Sequence, residues 1–347
     1  MTLLAFFLPR NHRMEQGRGL AGNGAAVMLA NPGTVVARAL EAACNAVEEL
    51  DTARPYSADP SHEPQGFLTV PNSFTGQSNA MGSGCMKFSA NLGFLWNDRS
   101  LPDAIRAAKA AGFDAVECHW PYDVPAEQVR EALEETGLPM LGLNARRGDV
   151  AAGDNGLSAL AGREVEARAA ITEAIAYAGA TGTRAVHVMA GFANGPEAHA
   201  SFVANLRFAC TEAAHHGINI LIEPLNRHDA PGYFLTTTDQ ASAIIAEVDH
   251  PALKLMFDCY HVQITEGDLT RRLQNLQPLI GHIQFASVPD RGAPDHGEVD
   301  YRHIFATVAA LGYDMPLGAE YKPVGATEAT LGWLDAAQRG VAMPEGA

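Results

Sequence analysis

Cysteine and positive charge are both scarce in this sequence. The 347 residues include five cysteines, an odd number without CxxC spacing, which argues against a disulfide framework and against a zinc knuckle. Lysine and arginine number 24 against 40 acidic residues, giving a net charge of −16, and they form no basic run. Proteins that bind nucleic acid through its phosphates concentrate positive charge. We therefore expect no nucleic-acid partner, and a reducing cytoplasm is the simplest location.

Long apolar segments are missing as well. The opening MTLLAFFLPRNHR has a short apolar run, but no basic segment precedes it and no small-residue cleavage site follows it, so we expect no signal peptide. No uninterrupted apolar stretch reaches the ~20 residues of a membrane-spanning helix, and we expect no membrane partner. The 47% of hydrophobic residues nevertheless suffice for a core of ordinary globular size.

The composition changes along the chain. Residues 53–85 are rich in proline, serine, glycine and asparagine and lack a sustained hydrophobic period, which is typical of a linker. After Met86, short apolar strands begin to alternate with amphipathic, alanine-rich helices. We therefore predict three parts, namely residues 1–52, a linker at 53–85 and a folded domain at 86–340.

The domain repeats one strand–helix unit. In SLPDAIRAAKAAG, Ser100 is a suitable N-cap, Pro102 lies in the first turn and Gly112 follows the end. The predicted strands are KFSANL, DAVECHW, PMLGLN, RAVHVMA, NILIEP, LKLMFD, GHIQFA and PLGAEY. About eight such units in ~250 residues predict an α/β fold, the (β/α)₈ TIM barrel, preceded by a partly disordered N-terminal extension. The rival, a doubly wound open sheet, needs fewer strands or a GxGxxG after the first strand, and that motif is absent there.

Four consecutive strands carry one oxygen-bearing side chain each at their carboxyl ends. They are Glu223, Asp258, Gln284 and Glu320. A barrel of this kind builds its active site at that rim. Three carboxylates and an amide suit Mg²⁺ or Mn²⁺ better than zinc, and the cation would offset the repulsion among the carboxylates. The structural alternative is that each acid caps a neighbouring helix or pairs with a nearby Arg or Lys.

Further polar residues lie near the same strand ends. His187 in AVHVMAG points into the barrel mouth or is a hydrogen-bonded core residue, and His261 lies three residues past Asp258. The loop PDRGAPDHGEVDY offers Arg291, His296 and Glu298, although loops of this composition are usually only solvated. Strand alternation puts Glu117 and His119 on one face of the second strand, where we expect them beside the site rather than in it.

Eight short blocks of the domain stand in a recognisable order. They are FSANL, GDVAAGDNGLSALAGRE, IEPLN, GYFLTTTDQA, DCYHVQ, GHIQFA, GEVDY and EYKP. From Met86 to about Trp333 the chain resembles the hydroxypyruvate isomerase group of the xylose-isomerase-like TIM barrels. The resemblance implies that Glu223, Asp258, Gln284 and Glu320 bind the metal, that the two glutamates also transfer the proton, and that the chain forms a homo-oligomer. Relatives with histidine at position 284 are mostly ketose 3-epimerases, so Gln284 favours the hydroxypyruvate group.

Two segments depart from that resemblance. Where hydroxypyruvate isomerases typically have ADNPHRGEPGTGE, this chain has ASVPDRGAPDHGE, which retains Arg291 and Glu298 but leaves the substrate open. Near the N-terminus, GRGLAGNGAAVMLANPGTVVARALEAACNAVEELDTARPY, residues 17–56, resembles the C-terminal portion of class II aldolases. Pro32 stands where that family has a metal-binding histidine, so we expect no catalysis from this segment.

The aldolase-like segment motivates a hypothesis about the gene. We expect that an upstream aldolase frame has run into this one and that the natural isomerase begins near Met86. An intact Met1 peptide in mass spectrometry of the native protein would exclude that origin. Aldolases of this class accompany isomerases of 2-oxotetronate, which makes that keto acid a second candidate substrate.

The predicted chemistry moves a carbonyl by one carbon. One of Glu223 and Glu320 removes a carbon-bound proton, the other acts as acid, and a divalent cation stabilises the enediolate between the two steps. We expect His261 and Lys322 to contact substrate oxygens and Arg291 to bind a substrate carboxylate as a bidentate fork. His187 and Glu298 complete the predicted substrate contacts.

The preferred reaction is the conversion of hydroxypyruvate to tartronate semialdehyde, with 2-oxotetronate isomerisation next. Ketose 3-epimerisation remains open, as does a lyase or dehydratase reaction at the same metal site. A metal-dependent hydrolase or abasic-site endonuclease is opposed by the negative net charge. A barrel that only binds a ligand leaves four aligned oxygen ligands without a purpose.

Overall fold

A computed structural model describes residues 86–338. The predicted segments 1–52 and 53–85 lie outside these residues. The described part forms an eight-stranded sheet of parallel strands in the order β2-β1-β8-β7-β6-β5-β4-β3, which confirms the predicted (β/α)₈ barrel. The strands are β1 Phe88–Asn91, β2 Ala115–Glu117, β3 Leu143–Asn144, β4 Ala185–His187, β5 Asn219–Ile222, β6 Leu253–Asp258, β7 Ile280–Phe285 and β8 Leu317–Ala319.

The barrel closes between β2 and β3. Val116 and Met140 form a parallel bridge there, in which Leu141 donates its backbone N–H to the carbonyl of Val116 at 2.8 Å. Asn144 donates in the same direction to the carbonyl of His119, also at 2.8 Å. The strands therefore form a continuous ring whose carboxyl ends share one rim.

Helices connect the strands around the outside. α1 begins after Ser100, whose side chain accepts from the backbone N–H of Asp103, and Pro102 lies in its first turn, as predicted. The helices are α1 Leu101–Ala110, α2 Ala126–Thr136, α3 Glu164–Thr181, α4 Gly195–Ala214, α5 Thr238–Val248, α6 Cys259–Thr265, α7 Leu269–Leu276, α8 Tyr301–Ala310 and α9 Gly332–Gln338. Among the described residues, no helix combines the length and apolar character needed to cross a membrane.

The main core lies between the strands and the helices. At its β1–β8–β7 side, Phe88, Phe285, Phe305 and Trp333 pack edge to face, with ring centroids 5.0–5.8 Å apart. Trp333 is fully buried and belongs to α9, so the last helix is part of this core.

The observed strand ends place the predicted site residues at slightly different points. Asp258 is the last residue of β6 and Gln284 lies within β7. Glu223 and Glu320, in contrast, each follow the last residue of their strand. All four positions are at the carboxyl rim. Polar side chains can lie there because the rim is outside the apolar core between the strands and the helices.

Candidate active site

The four predicted metal ligands are all buried at the carboxyl rim. Their relative exposures are 6% for Glu223, 1% for Asp258, 4% for Gln284 and 6% for Glu320. Glu223 and Asp258 also offer oxygens that lie, with a nitrogen of His261, within 4.8 Å of one another. Among the described residues, these three side chains form a group close enough together to hold a metal ion. The group includes two of the four predicted ligands.

Three of the predicted ligands present a buried oxygen without any hydrogen-bond donor. These atoms are Glu223 Oε1, Asp258 Oδ2 and Gln284 Oε1. A buried oxygen left unpaired costs on the order of 1–3 kcal/mol, and more when it is charged. Hard oxygen donors of this kind are what Mg²⁺ and Mn²⁺ bind. The residues therefore fit a divalent cation.

Glu320 differs because protein donors occupy both of its oxygens. Oε1 accepts from His119 Nε2 at 2.9 Å and from Asn91 Nδ2 at 3.1 Å. Oε2 accepts from the Arg291 guanidinium at 2.8 Å. The structural alternative is thus partly correct for Glu320, and it is also partly correct for Asp258, whose Oδ1 caps α6 by accepting from the N–H of Tyr260.

The two glutamates consequently have opposite electrostatic surroundings. Burial, with repulsion from Glu320 and Asp258, raises the pKa of Glu223 well above its usual range. Burial and Glu320 likewise raise the pKa of Asp258 to about 7. Burial acts in the same direction on Glu320, but the Arg291 charge and the hydrogen bond from His119 outweigh it and lower the pKa of Glu320. Glu320 is therefore held as a carboxylate by its protein neighbours alone.

Two histidines lie close to Glu223, His187 at the end of the neighbouring strand β4 and His261 in α6, directly after β6. His187 Nδ1 lies 3.7 Å from Glu223 Oε2, and neither ring nitrogen of His187 has a hydrogen-bond partner. His261 Nε2 lies 3.9 Å from Glu223 Oε1 and 3.7 Å from Asp258 Oδ2. Burial lowers the pKa of His187 to about 4 and, together with the Arg291 charge, the pKa of His261 to about 3. Both rings are neutral at pH 7.

The tautomer of His261 follows from its neighbours. Its Nδ1 accepts from the backbone N–H of Asn226 at 3.1 Å and lies 2.8 Å from Asn226 Nδ2. The proton therefore resides on Nε2, which faces the carboxylates as a donor. A nitrogen that carries a proton does not ligate a metal, so the two carboxylates are the members of the group of three that would bind the ion. The role of His261 as a substrate contact stays a prediction.

Arg291 is held between two aromatic rings. Its guanidinium carbon lies 5.0 Å from the ring centre of Phe94 and 4.9 Å from that of Tyr260. It also lies within salt-bridge distance of Glu320, Asp258 and Asp229. A substrate carboxylate would therefore have to share a guanidinium that acidic side chains already contact.

The other two predicted substrate contacts lie farther out. Lys322 is exposed, with Nζ 6.0 Å from the centre of the Phe94 ring, so it shares that ring with Arg291. Glu298 is exposed in the loop after β7, where its backbone N–H donates to Val288. The structure does not bring the Glu298 side chain into contact with the buried carboxylates, and its role stays a prediction.

A second polar layer lies deeper in the barrel. The carboxylate of Glu117 accepts from Gln284 Nε2 at 2.8 Å and from Asn91 Nδ2 at 3.1 Å, and it lies 2.6 Å from His282 Nε2. Burial lowers the pKa of His282, but the Glu117 charge and hydrogen bond outweigh it and raise that pKa. Because Glu117 takes the amide NH₂ of Gln284, the amide oxygen is left to face the site.

Gly318 on β8 provides the room for this layer. A Cβ atom there would lie 2.7 Å from Glu117 Oε1 and 2.8 Å from Gln284 Cγ. A larger residue would therefore displace the side chains that orient Gln284.

The sequence did not identify the partners that orient the site. Asn91 was inside a strand block, Asn226 inside IEPLN and Phe94 in the turn after β1, and none carried a signal of its own. Strand alternation did place Glu117 and His119 near the site. The contacts they make join residues from opposite ends of the domain, which a pattern of local spacing does not reveal.

Comparison with known proteins identifies the family of the chain. Residues 105–337 match the model of the xylose isomerase-like TIM barrel family. The chain belongs to this family. A 2-oxo-tetronate isomerase from Cupriavidus necator is 45% identical over 72% of this chain and 97% of that protein. The hydroxypyruvate isomerase of Escherichia coli is 38% identical over 72% of this chain and 98% of that protein.

Two solved structures show the same fold. A crystal structure from Brucella melitensis, named AP endonuclease, family 2, is 38% identical and superposes with a TM-score of 0.70 over 72% of this chain and 98% of that one. A 3-keto-D-glucoside 4-epimerase from E. coli, 22% identical with a TM-score of 0.61 over 73% of this chain and 99% of that one, shows the fold alone. The predicted enzyme class, an isomerase, is confirmed by the two named isomerases that match this chain over nearly their full length.

Proposed function

We propose that the chain is a metal-dependent aldose–ketose-type isomerase of a small hydroxy keto acid. The observation that carries this proposal is the pair of buried glutamates at one rim, together with unpaired oxygens on Glu223, Asp258 and Gln284. The first two candidate substrates are hydroxypyruvate, which would give tartronate semialdehyde, and 2-oxotetronate. Two observations support 2-oxotetronate as the second candidate. They are the 45% identity to the C. necator enzyme and the aldolase-like N-terminal segment.

The metal would be held by Glu223, Asp258, Gln284 and Glu320. Mg²⁺ or Mn²⁺ bound there would supply charge to stabilise the enediolate form of the substrate. Glu320 would join as a ligand while keeping some of its protein donors, because carboxylates that ligate metals are commonly hydrogen-bonded as well.

The chain's own residues would handle the protons. Glu223 and Glu320 come from the non-adjacent strands β5 and β8, so they would flank a bound molecule on opposite sides, one removing a proton from carbon and the other returning one to its neighbour. The Nε2–H of His261 would donate to a substrate oxygen. Arg291 would orient the substrate carboxylate. The rings of Phe94 and Tyr260 would hold the Arg291 guanidinium between them.

A direct test follows isomerisation by proton NMR in D₂O. Hydroxypyruvate and 2-oxotetronate are supplied separately, with EDTA and then with Mg²⁺ or Mn²⁺, and we expect metal-dependent conversion with deuterium entering at the carbon that exchanges its proton. Psicose and tagatose serve as epimerase substrates and an abasic-site oligonucleotide as the nuclease substrate. Conversion of the ketoses alone, cleavage of the oligonucleotide, or full activity in EDTA would contradict the proposal.

The carboxylate role of Arg291 has its own test. Arg291→Ala should raise KM for the keto acid far more than it weakens Mn²⁺ binding, and Arg291→Lys should recover only part of the loss because the bidentate fork is gone. The exposed Arg302, whose ion pair is with Asp300, provides the control Arg302→Ala. Equal activity of the wild type on hydroxypyruvate and on an uncharged ketose would exclude this role.

A further inference from the structure

The carboxylate of Glu320 is fixed by a residue that the predicted site did not include. His119 follows β2, and its Nε2 lies 2.9 Å from Glu320 Oε1. Because an ionised carboxylate only accepts hydrogen bonds, Nε2 carries the proton of this ring. The His119 side chain is 14% exposed, so the bond is largely shielded from water. Glu223, the other predicted acid–base residue, has no comparable short contact, since its nearest histidine atoms are 3.7 and 3.9 Å away.

The turn after β1 makes room for this histidine. A Cβ atom on Gly93 would lie 2.1 Å from His119 Nδ1 and 2.3 Å from His119 Cγ, which is closer than such atoms approach in proteins. Only a residue without a side chain therefore allows the imidazole to lie at this place. The ring of Phe94, next in the chain, packs edge to face against His119 at 5.1 Å between centroids.

The same glycine also orients the second donor to Glu320. The backbone N–H of Gly93 donates to Asn91 Oδ1 at 2.9 Å. The amide NH₂ of Asn91 is thereby directed to Glu320 Oε1 and to Glu117. Asn91 of β1 and His119, just after β2, thus both donate to one oxygen of Glu320, while Arg291 donates to the other.

We propose that His119, admitted by Gly93, is a positioning residue that fixes the Glu320 carboxylate for metal binding and proton transfer. The proposal deepens the proposed isomerase function and rests on it for the role of Glu320. The Glu320 side chain has three rotatable bonds and three donors that restrain it. Without His119, only Asn91 and Arg291 would restrain the carboxylate. Partners of this kind typically change metal affinity or activity by ~10–100-fold.

The test compares two amides that differ in reach. His119→Gln places an amide nitrogen near the position of Nε2, whereas His119→Asn is too short and leaves Glu320 without this donor. We expect kcat and Mn²⁺ affinity to fall about tenfold or more in His119→Asn and to be largely recovered in His119→Gln. KM should change less than kcat. Isothermal titration with Mn²⁺ gives a measurement that does not depend on turnover.

A second variant displaces the His119 ring without replacing His119. Gly93→Ala should push the imidazole from Glu320 and reproduce the loss seen in His119→Asn. In the His119→Ala background no ring remains to be displaced, so adding Gly93→Ala should cost little more, a non-additive result for two residues that act through one contact. The exposed His303, hydrogen-bonded to Thr270 on the outer helices, provides the control His303→Gln, which should leave kcat and Mn²⁺ affinity unchanged.

The outcomes separate this inference from the proposed function. Equal losses in His119→Gln and His119→Asn, fully additive effects of Gly93→Ala and His119→Ala, or no change in any variant would overturn the role of His119. A wild-type protein inactive on both keto acids would overturn the proposed function, and the Mn²⁺ titrations of the same variants would then still decide whether His119 positions Glu320.

Discussion

The two rim glutamates show how neighbouring side chains give the same residue type different properties. Glu320 receives hydrogen bonds from β1, from the segment after β2 and from the loop after β7, whereas Glu223 retains a buried oxygen with no donor. One carboxylate is therefore stabilised in its charged form and the other is destabilised by burial and by its acidic neighbours. Such a difference between paired carboxyl groups is common in sites that transfer protons.

Replacing each glutamate by glutamine should separate catalysis from stability. Both Glu223→Gln and Glu320→Gln should lower kcat by ~10²–10⁴-fold, since each removes an acid–base group. In the metal-free protein at pH 8, Glu223→Gln should keep or raise Tm, because it removes a buried carboxyl group whose charged form is disfavoured by burial and by its acidic neighbours. Glu320→Gln should lower stability by on the order of 1–3 kcal/mol, because charge-assisted bonds from Arg291 and His119 are lost.

The measurements are an isomerase assay and thermal unfolding in EDTA. Glu328→Gln, at an exposed carboxylate paired with Arg99, is a suitable control with wild-type kcat. Identical Tm shifts for the two rim variants would show that their surroundings are not as different as their contacts indicate.

The sequence predicted which side chains face the rim but not how they are oriented. Position at a strand end was enough to select Glu223, Asp258, Gln284 and Glu320. The Asn91–Glu320 bond joins residues 229 positions apart, and the His119–Glu320 bond spans 201. Alternation along a strand fixes the face of a side chain, but its partner depends on how the ring of strands closes.

The loop after β7 is braced by its own polar residues. His296 lies 2.8 Å from Asp290 through Nε2 and 2.8 Å from Asp295 through Nδ1, and the hydroxyl of Ser287 donates to Asp290. Between these residues, Arg291 has a left-handed backbone with φ of 56°. The brace holds a conformation that an arginine rarely adopts on its own.

The brace should be visible in the titration of His296. Hydrogen bonds to Asp290 and then to Asp295 raise the pKa of His296 above its usual value near 6.5. The stability that this pairing contributes is present below about pH 6.5 and is lost as the pH rises through the raised pKa. In a proton NMR titration, we expect the His296 midpoint above 6.5 and a lower midpoint in Asp290→Asn. A midpoint unaffected by Asp290→Asn would contradict the pairing.

The last helix should contribute much of the stability of its side of the barrel. Trp333 of α9 is fully buried against Phe88, Phe285 and Tyr321, so Trp333→Ala should cost ~3–5 kcal/mol through the cavity it leaves. Val165 is 84% exposed on α3, and Val165→Ala is the matched control with little effect. Denaturant unfolding measures both variants, and equal midpoints would show that α9 is not part of the cooperative core.

Element type was easier to predict than element length. The segment PMLGLN was predicted as a strand, but β3 contains only Leu143 and Asn144, because the preceding residues contact β2 through single bridges and hydrogen bonds. LKLMFD, in contrast, was predicted with the bounds that β6 has. Long apolar runs that pair on both sides are well defined by sequence, while the extent of a short strand depends on its neighbours.

The chain is longer than the two isomerases that it matches over nearly their full length. The C. necator and E. coli isomerases match 72% of this chain while being covered over 97% and 98% of their own length. We expect a variant that starts at Met86 to unfold at the same Tm as the full chain and to retain kcat. Thermal unfolding and the NMR assay compare the two proteins. Loss of activity with an unchanged Tm would instead show that residues 1–85 take part in the reaction.

The deep layer of Glu117, His282 and Gln284 links the rim to side chains buried beneath it. The Glu117 carboxylate accepts from the amide NH₂ of Gln284, and Gly318 leaves space beside both side chains. The direction of the Gln284 oxygen is therefore set from below the rim. Metal affinity would accordingly depend on residues one layer deeper than those that would touch the ion.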